Sequence, residues 1–320
     1  MNFFWLILGF LTLIVGGDFL VKGSVGLALK ANVSTLVIGM TVVSFGTSAP
    51  ELLVSLGAAK KGGEDALMSI GNVIGSNIAN LALVLGVTAL IYPIKVQKDS
   101  IKQDWPVMVV STILFILFMA FFDGDKYAVN SWEGSILFTL IILFTLFMIW
   151  KARKSSKSVK EKGNEEIEEN KGSPLWRNIL LLIGGCLGLI FGSQWLLEAA
   201  TNIASEAGVN PFIIGVTILA FGTSVPELAA SAIAAYRKQT DIAIGNLIGS
   251  NIFNILCVVG LTGTVAKMPL KKEVLNYDAW WMLGISVALL PLMISGGKIH
   301  RWKGALLVLS YLIYLFILVS

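Results

Sequence analysis

Two glutamates, Glu51 and Glu227, stand in the middle of long apolar stretches. A carboxylate at bilayer depth costs roughly 2.5–3.5 kcal/mol even on mild insertion scales. Each ends the same string, Gly46-Thr47-Ser48-Ala49-Pro50-Glu51 and Gly222-Thr223-Ser224-Val225-Pro226-Glu227. No Lys or Arg lies within a turn or two of either carboxylate at the same depth, so a structural ion pair with a lysine is a weak account. Two matched carboxylates imply a compensating cation or proton. Proline lacks the amide N–H and clashes with the preceding turn, and glycine permits a break. The helix is therefore expected to unwind here, with freed carbonyls facing a protein-lined cavity rather than lipid.

A second string also occurs twice: Gly71-Asn72-Val73-Ile74-Gly75-Ser76-Asn77-Ile78-Ala79-Asn80 and Gly245-Asn246-Leu247-Ile248-Gly249-Ser250-Asn251-Ile252-Phe253-Asn254. Asn72, Ser76 and Asn80 are spaced to share one helical face, as are Asn246, Ser250 and Asn254. Asn72 and Asn246 suit a role in holding helices together. Ser76, Asn80, Ser250 and Asn254 suit ion ligation. Gly71 with Gly75, and Gly245 with Gly249, are small-residue pairs that let helix backbones approach. The two strings together supply carboxylate, hydroxyl, amide and carbonyl oxygens. Such a set fits a hard cation, and calcium takes about 6–8 oxygens in flexible geometry. Two carboxylates also match one divalent charge in a low-dielectric interior.

The elements that carry these strings belong in a membrane. Of 320 residues, 56% are hydrophobic and 14% charged, against about 25% charged in soluble domains. Ten apolar spans are expected, at 3–28, 35–59, 67–92, 105–122, 132–150, 176–204, 211–235, 242–266, 277–295 and 303–319. The first has no basic start and is long enough to cross a bilayer, so it reads as a transmembrane helix rather than a signal peptide. Trp105, Trp132, Trp150, Trp176, Trp280, Trp281 and Trp302 fall near span ends, as interfacial anchors do. Cys186 and Cys257 sit in apolar runs and read as small hydrophobes. With one histidine, His300, the chain is poorly supplied for zinc, haem or iron–sulfur. The basic runs are too short and isolated for nucleic-acid binding.

The halves repeat one another. Val33–Ala59 aligns without a gap on Val209–Ala235 with 14 of 27 identities, and Gly71–Gly86 on Gly245–Gly260 with 10 of 16. Lys151–Pro174 is polar, basic then acidic, and reads as a solvated linker. If it is cytoplasmic, the loops on its side hold 17 Lys and Arg against 6 opposite, which puts both termini outside. Five spans per half, an odd number, invert the second half. The expected fold is all-α integral membrane: a five-helix repeat over 1–150, a cytoplasmic linker over 151–175, and a second, inverted five-helix repeat over 176–320, with the second and seventh helices broken. Inverted repeats bind their substrate near the midplane, where they meet.

The two GTS-x-PE strings and two GN-x-IGSN-x-x-N strings resemble the calcium/cation antiporter superfamily, in its sodium/calcium exchanger branch and the prokaryotic ten-helix type. The resemblance covers the whole chain. The calcium/proton branch carries a glutamate where this chain has Gly75 and Gly249. The resemblance implies calcium on Glu51 and Glu227 with the carbonyls of Thr47 and Thr223. It implies sodium at the same centre and on either side of it, adding Ser48, Ser76, Asn80 and the Ser44 carbonyl in one half. The other half adds Ser224, Ser250, Asn254 and the Ala220 carbonyl. Prokaryotic relatives often have aspartate where this chain has Asn254. Asparagine there is similar to the potassium-independent animal exchangers, whose large calcium-sensing domain has no counterpart in Lys151–Pro174.

The expected activity is sodium/calcium antiport by alternating access in a prokaryotic inner membrane. Lipid, calcium and sodium are its partners, with no cofactor. A calcium/proton or potassium-dependent antiporter remains the alternative, followed by a cation channel. No apposed catalytic aspartates, zinc motif or serine–histidine set suggests an enzyme. The glycine-rich first and sixth spans are read either as sliding across the bundle or as tightly packed. Asp18 and Gln194 hold matching positions there without an assigned role.

Overall fold

Apolar, nearly charge-free segments of about 20 residues satisfy their backbone in lipid only as helices, and helices dominate the chain. The computed structural model describes residues 1–121, 127–154, 173–209 and 220–319. Among the described residues eight helices are long and apolar enough to cross a membrane, nine when a bent pair is taken as one span. In order they are α1 (Asn2–Ala31), the bent pair α2 (Thr35–Thr47) and α3 (Ala49–Lys61), α4 (Gly63–Ile91) and α5 (Ser100–Ala120). There follow α6 (Ser131–Lys154), α7 (Leu175–Glu206), α8 (described over Ala220–Gly222) and α9 (Val225–Tyr236). The last are α10 (Thr240–Val265), α11 (Val274–Gly297) and α12 (Arg301–Val319). Of the seventh expected span only 220–235 is described; 211–219 lies outside the described residues, as does 155–172 of the expected linker.

Burial sorts the helices into centre and periphery. The apolar window of α10 is 100% buried and that of α4 72%, against 22% for both α6 and α12. A helix apolar all round is either enclosed or lipid-facing. Here α4 and α10, which carry the second string, are the enclosed pair. Leu143, Leu146 and Trp150 on α6, and Leu309, Leu312 and Phe316 on α12, face outward.

The pair α1 and α7 packs backbone to backbone along a glycine seam. A methyl group on Gly16 would stand 3.0 Å from the Gly188 carbonyl carbon, and one on Gly192 3.0 Å from the Gly9 oxygen. At the other end, one on Gly23 would stand 2.8 Å from the Leu182 amide nitrogen. Positions rise along α1 as they fall along α7, so the two helices run antiparallel. Asp18, in the middle of α1, is paired with Lys22 at 2.9 Å and with Arg237 beyond α9.

The repetition seen in the sequence extends to irregular backbone. Wide π-helical turns occur at Asn80–Val84 and Asn254–Val259, and again at Ser100–Asp104 and Val274–Asp278. In each pair the starts are 174 residues apart. Among the described residues two antiparallel ladders of two residues a side accompany the helices. Strand β1 (Ile94–Lys95) pairs with β4 (Lys298–Ile299), and β2 (Ala128–Val129) with β3 (Met268–Pro269). Each ladder joins one half of the chain to the other.

One glycine pair of the second string packs against described backbone. A methyl on Gly245 would lie 2.8 Å from the Leu36 carbonyl, and one on Gly249 2.8 Å from Met40 Cα, so α10 lies directly on α2. Among the described residues nothing approaches Gly71 or Gly75 within 4 Å in this way. The close approach expected of both pairs is thus present for Gly245 and Gly249; the segment that matches their partners in the other half, 211–219, lies outside the described residues.

Candidate cation-binding site

The break in the second span is narrower than the unwinding expected from its Gly and Pro. Helical backbone runs to Thr47 and resumes at Ala49, and Ser48 alone departs, at φ −85° and ψ 4°. The axis bends there by 42°. Ser224 makes the same departure, at φ −86° and ψ 2°. Both values lie near the sparsely populated bridge between helical and extended backbone. Pro50 and Pro226 fall in the first turn of the resumed helix, where a missing N–H costs nothing. The backbone bonds that span the first break run from Ser48 N–H to the Ser44 carbonyl at 2.9 Å and from Leu52 N–H to the Ser48 carbonyl at 3.2 Å. Those of the second run from Ser224 N–H to the Phe221 carbonyl and from Leu228 N–H to the Ser224 carbonyl, each 3.0 Å. Neither set engages the carbonyl of Thr47 or Thr223.

Each break delivers a glutamate to the start of a helix. Glu51 lies in the first turn of α3 and Glu227 in the first turn of α9. The unpaired amides and dipole of a helix start favour negative charge there. Both side chains are fully buried, and their charges are close enough to repel one another. Neither Glu51 oxygen has a hydrogen-bond partner. Glu227 Oε1 accepts weakly from Ser48 Oγ at 3.4 Å and Ser250 Oγ at 3.5 Å, and Oε2 has no partner.

Around the carboxylates the two halves hold each other by reciprocal hydrogen bonds. Thr47 Oγ1 donates to Asn246 Oδ1 at 3.1 Å, and Thr223 Oγ1 donates to Asn72 Oδ1 at 3.3 Å. Thr47 also meets Ser250 at 3.3 Å, as Thr223 meets Ser76 at 2.9 Å, hydroxyl to hydroxyl. Asn246 Nδ2 donates to Ser231 Oγ at 3.1 Å, and Asn72 Nδ2 to Ser55 Oγ at 3.0 Å. Asn72 and Asn246 therefore tie helices together, the role their positions suggested. Ser55 and Ser231 were not singled out from the sequence. The available signal was a serine one helical turn after each glutamate.

The remaining expected ligands fall into two groups. The Ser44 carbonyl accepts from Ser48 N–H at 2.9 Å, while the Ser44 hydroxyl donates to the Gly39 carbonyl at 2.7 Å. Ser224 Oγ, both polar atoms of Asn80 and Asn254 Oδ1 are buried without partners. Ala220 lies in α8, four residues before Ser224. Unpaired buried polar atoms are rare in folded proteins, and each costs about 1–3 kcal/mol, more when charged. Such atoms also occur elsewhere, as on Ser24, Asn178 and Thr262, but Glu51, Asn80, Ser224, Glu227 and Asn254 all belong to the two repeated strings. Among the described residues no three His, Cys, Asp or Glu side chains come together. Any bound metal would thus rest on two carboxylates and neutral oxygens, as a hard cation does. An apolar crevice of about 800 Å3 along Val37, Thr41, Phe45, Ile142 and Phe253 excludes both carboxylates and offers a cation little.

Comparison with known proteins assigns the architecture. The family described as "Sodium/calcium exchanger protein" matches residues 1–150 and 177–320. The chain is 33% identical over 353 aligned positions to the sodium/calcium exchanger MaX1 of Methanosarcina acetivorans, covering 99% of this chain and 98% of that one. It is 34% identical to the inner membrane protein YrbG of Escherichia coli, covering 88% and 85% respectively. Its structure matches that of the sodium-calcium exchanger NCX_Mj with a TM-score of 0.81 at 31% identity, over 99% of this chain and 98% of that one. The chain is an integral membrane protein that belongs to the sodium/calcium exchanger family.

Proposed function

We propose that the protein exchanges sodium for calcium across a membrane by alternating access at the centre formed by Glu51 and Glu227. The observation that carries this reading is a pair of fully buried carboxylates, three of whose four oxygens lack any partner, with the Ser48 and Ser250 hydroxyls beside Glu227. Calcium rests on both carboxylates and the Thr47 and Thr223 carbonyls. Sodium ions share those oxygens and add Ser48, Ser76, Asn80, Ser224, Ser250 and Asn254, with the carbonyls of Ser44 and Ala220.

The charge pair supplies the coupling. A buried ion without a counter-charge costs several kcal/mol even after relaxation. The empty centre therefore resists passage through a closed, dry intermediate. One calcium or a set of sodium ions neutralises it and allows the face to change. Both ions use the same charges, so neither crosses without the other taking a turn.

The ten-helix, inverted-repeat reading extends the observed helices: 1–150 and 176–320 form matched five-helix halves, and 151–175 links them in the cytoplasm. Antiparallel packing of the corresponding helices α1 and α7, reciprocal bonding at the site and exchanged β-ladders support it. Both termini then face outward from a prokaryotic inner membrane. Because α1 and α7 are locked backbone to backbone, they move as one body against the rest.

Vesicles loaded with sodium and diluted into sodium-free buffer should take up calcium. Uptake driven by a proton gradient alone, or requiring potassium, would replace this reading with the corresponding antiporter. Single-channel currents would replace it with a channel.

A further inference from the structure

The carboxamides that close the second string are held differently in the two halves. Asn254 Nδ2 donates to Asn77 Oδ1 at 3.0 Å. Asn77 Nδ2 in turn donates to the Asn251 carbonyl at 3.4 Å and faces Met282 Sδ at 3.7 Å. A carbonyl and a thioether only accept, so Asn77 must turn its NH2 toward them and its oxygen toward Asn254. Asn254 must then answer with its own NH2. Its Oδ1 is left buried and without a partner, one helical turn beyond Ser250.

We infer that Asn77 is a positioning residue that holds the Asn254 amide with its oxygen turned to the transported cations. This rests on the antiport reading of the site. A free amide offers a cation its oxygen in one orientation and repels it with NH2 in the other. Asn77 is 1% exposed and reaches Asn254 across the interface between the halves. The arrangement is not repeated. Asn251, which matches Asn77 in sequence, donates Nδ2 to the Leu247 carbonyl at 2.8 Å, and Asn80, which matches Asn254, has neither polar atom engaged. One amide is held by a hydrogen bond and the other has none to set its orientation. Asparagine at position 254 therefore requires an orienting neighbour. A carboxylate there would not, because it presents an oxygen whichever way it rotates.

That difference defines the test, a double-mutant cycle on Asn77→Leu and Asn254→Asp. Sodium and calcium half-saturation are read twice: by cation-induced thermal stabilisation of the purified protein, and by sodium-gradient-driven calcium uptake. Asn77→Leu should raise sodium half-saturation by about three- to tenfold, the scale of one buried hydrogen bond, with maximal uptake rate unchanged. In the Asn254→Asp background the same change should move half-saturation by less than about twofold, because the two sites no longer act through an amide. Asn77→Asp keeps an acceptor facing Asn254 Nδ2 but loses the donor to the Asn251 carbonyl, and should weaken sodium less than Asn77→Leu does. Equal effects of Asn77→Leu in both backgrounds, or none in either, would overturn the inference, and so would weakening by Asn77→Asp equal to that by Asn77→Leu. Where Asn77→Leu does not fold, Asn77→Ala takes its place in the cycle. A wild-type protein that binds these cations but does not exchange them defeats the antiport reading while leaving the binding cycle able to judge Asn77.

Discussion

Replacing Glu51 by glutamine changes one atom in the site and separates its ligand role from a structural one. The glutamate oxygens have no protein donors, so Glu51→Gln breaks no hydrogen bond that holds the fold. It removes one of two like charges that repel each other in a buried space. With cations absent, the variant should melt no lower than wild type. With calcium present, the loss should be large. Removing one partner from a buried charge pair costs about 3–5 kcal/mol. At about 1.4 kcal/mol per tenfold, half-saturation by calcium should rise roughly 150- to 4,000-fold. Thermal stabilisation of purified protein across a calcium titration reads both quantities in one experiment. Sodium-gradient-driven uptake should fall to background. A variant that is less stable without cations would mean that Glu51 holds something in the protein. Wild-type calcium stabilisation in the variant would remove the carboxylate from the site altogether.

Asn254→Asp adds a charge at the centre and should alter cation selectivity or the pH dependence of uptake; an unchanged profile would take Asn254 out of the ligand set. Asn72→Ala and Asn246→Ala each free the threonine hydroxyl of the opposite half and should both slow exchange, so loss in one alone would contradict equivalent roles. Gly16→Ala drives a methyl against the Gly188 and Leu189 backbone at 3.0 Å and should destabilise by about 1–3 kcal/mol, measured by thermal melting. Gly57→Ala, with nothing within 4 Å of the new carbon in a helix interior, should be neutral or gain about 0.5–1 kcal/mol. Equal melting of these two variants would show that the α1–α7 seam is not tightly packed.

Much of the molecule is legible before any coordinates. Lipid admits only closed backbone hydrogen bonding, so apolar length alone marked the helices. Each expected span that is fully described matches a helix to within a few residues. Glu51 and Glu227 stood out because a carboxylate in an apolar span is costly, and Pro50 and Pro226 located the breaks because proline cannot continue the ladder. The breadth of the breaks was not legible. Whether Gly46 and Gly222 leave the helix depends on neighbours; among the described residues only Ser48 does at the first break, and Thr223 and Ser224 at the second.

What the sequence by itself determined was chemistry and periodicity: which residues carry oxygen, which share a helical face, and that the chain contains the same device twice. Direction and pairing were left to the tertiary structure. That Thr47 answers Asn246 rather than Asn72, that α2 lies on Gly245 and Gly249 with no counterpart described at Gly71 and Gly75, and that Asn254 is held by Asn77 while Asn80 is free, are all contacts across the two halves. Local spacing fixes a side chain relative to its own helix. Which helix comes to face it is set by the packing of the whole bundle, so residues matched in the two strings, such as Asn77 and Asn251, find different partners.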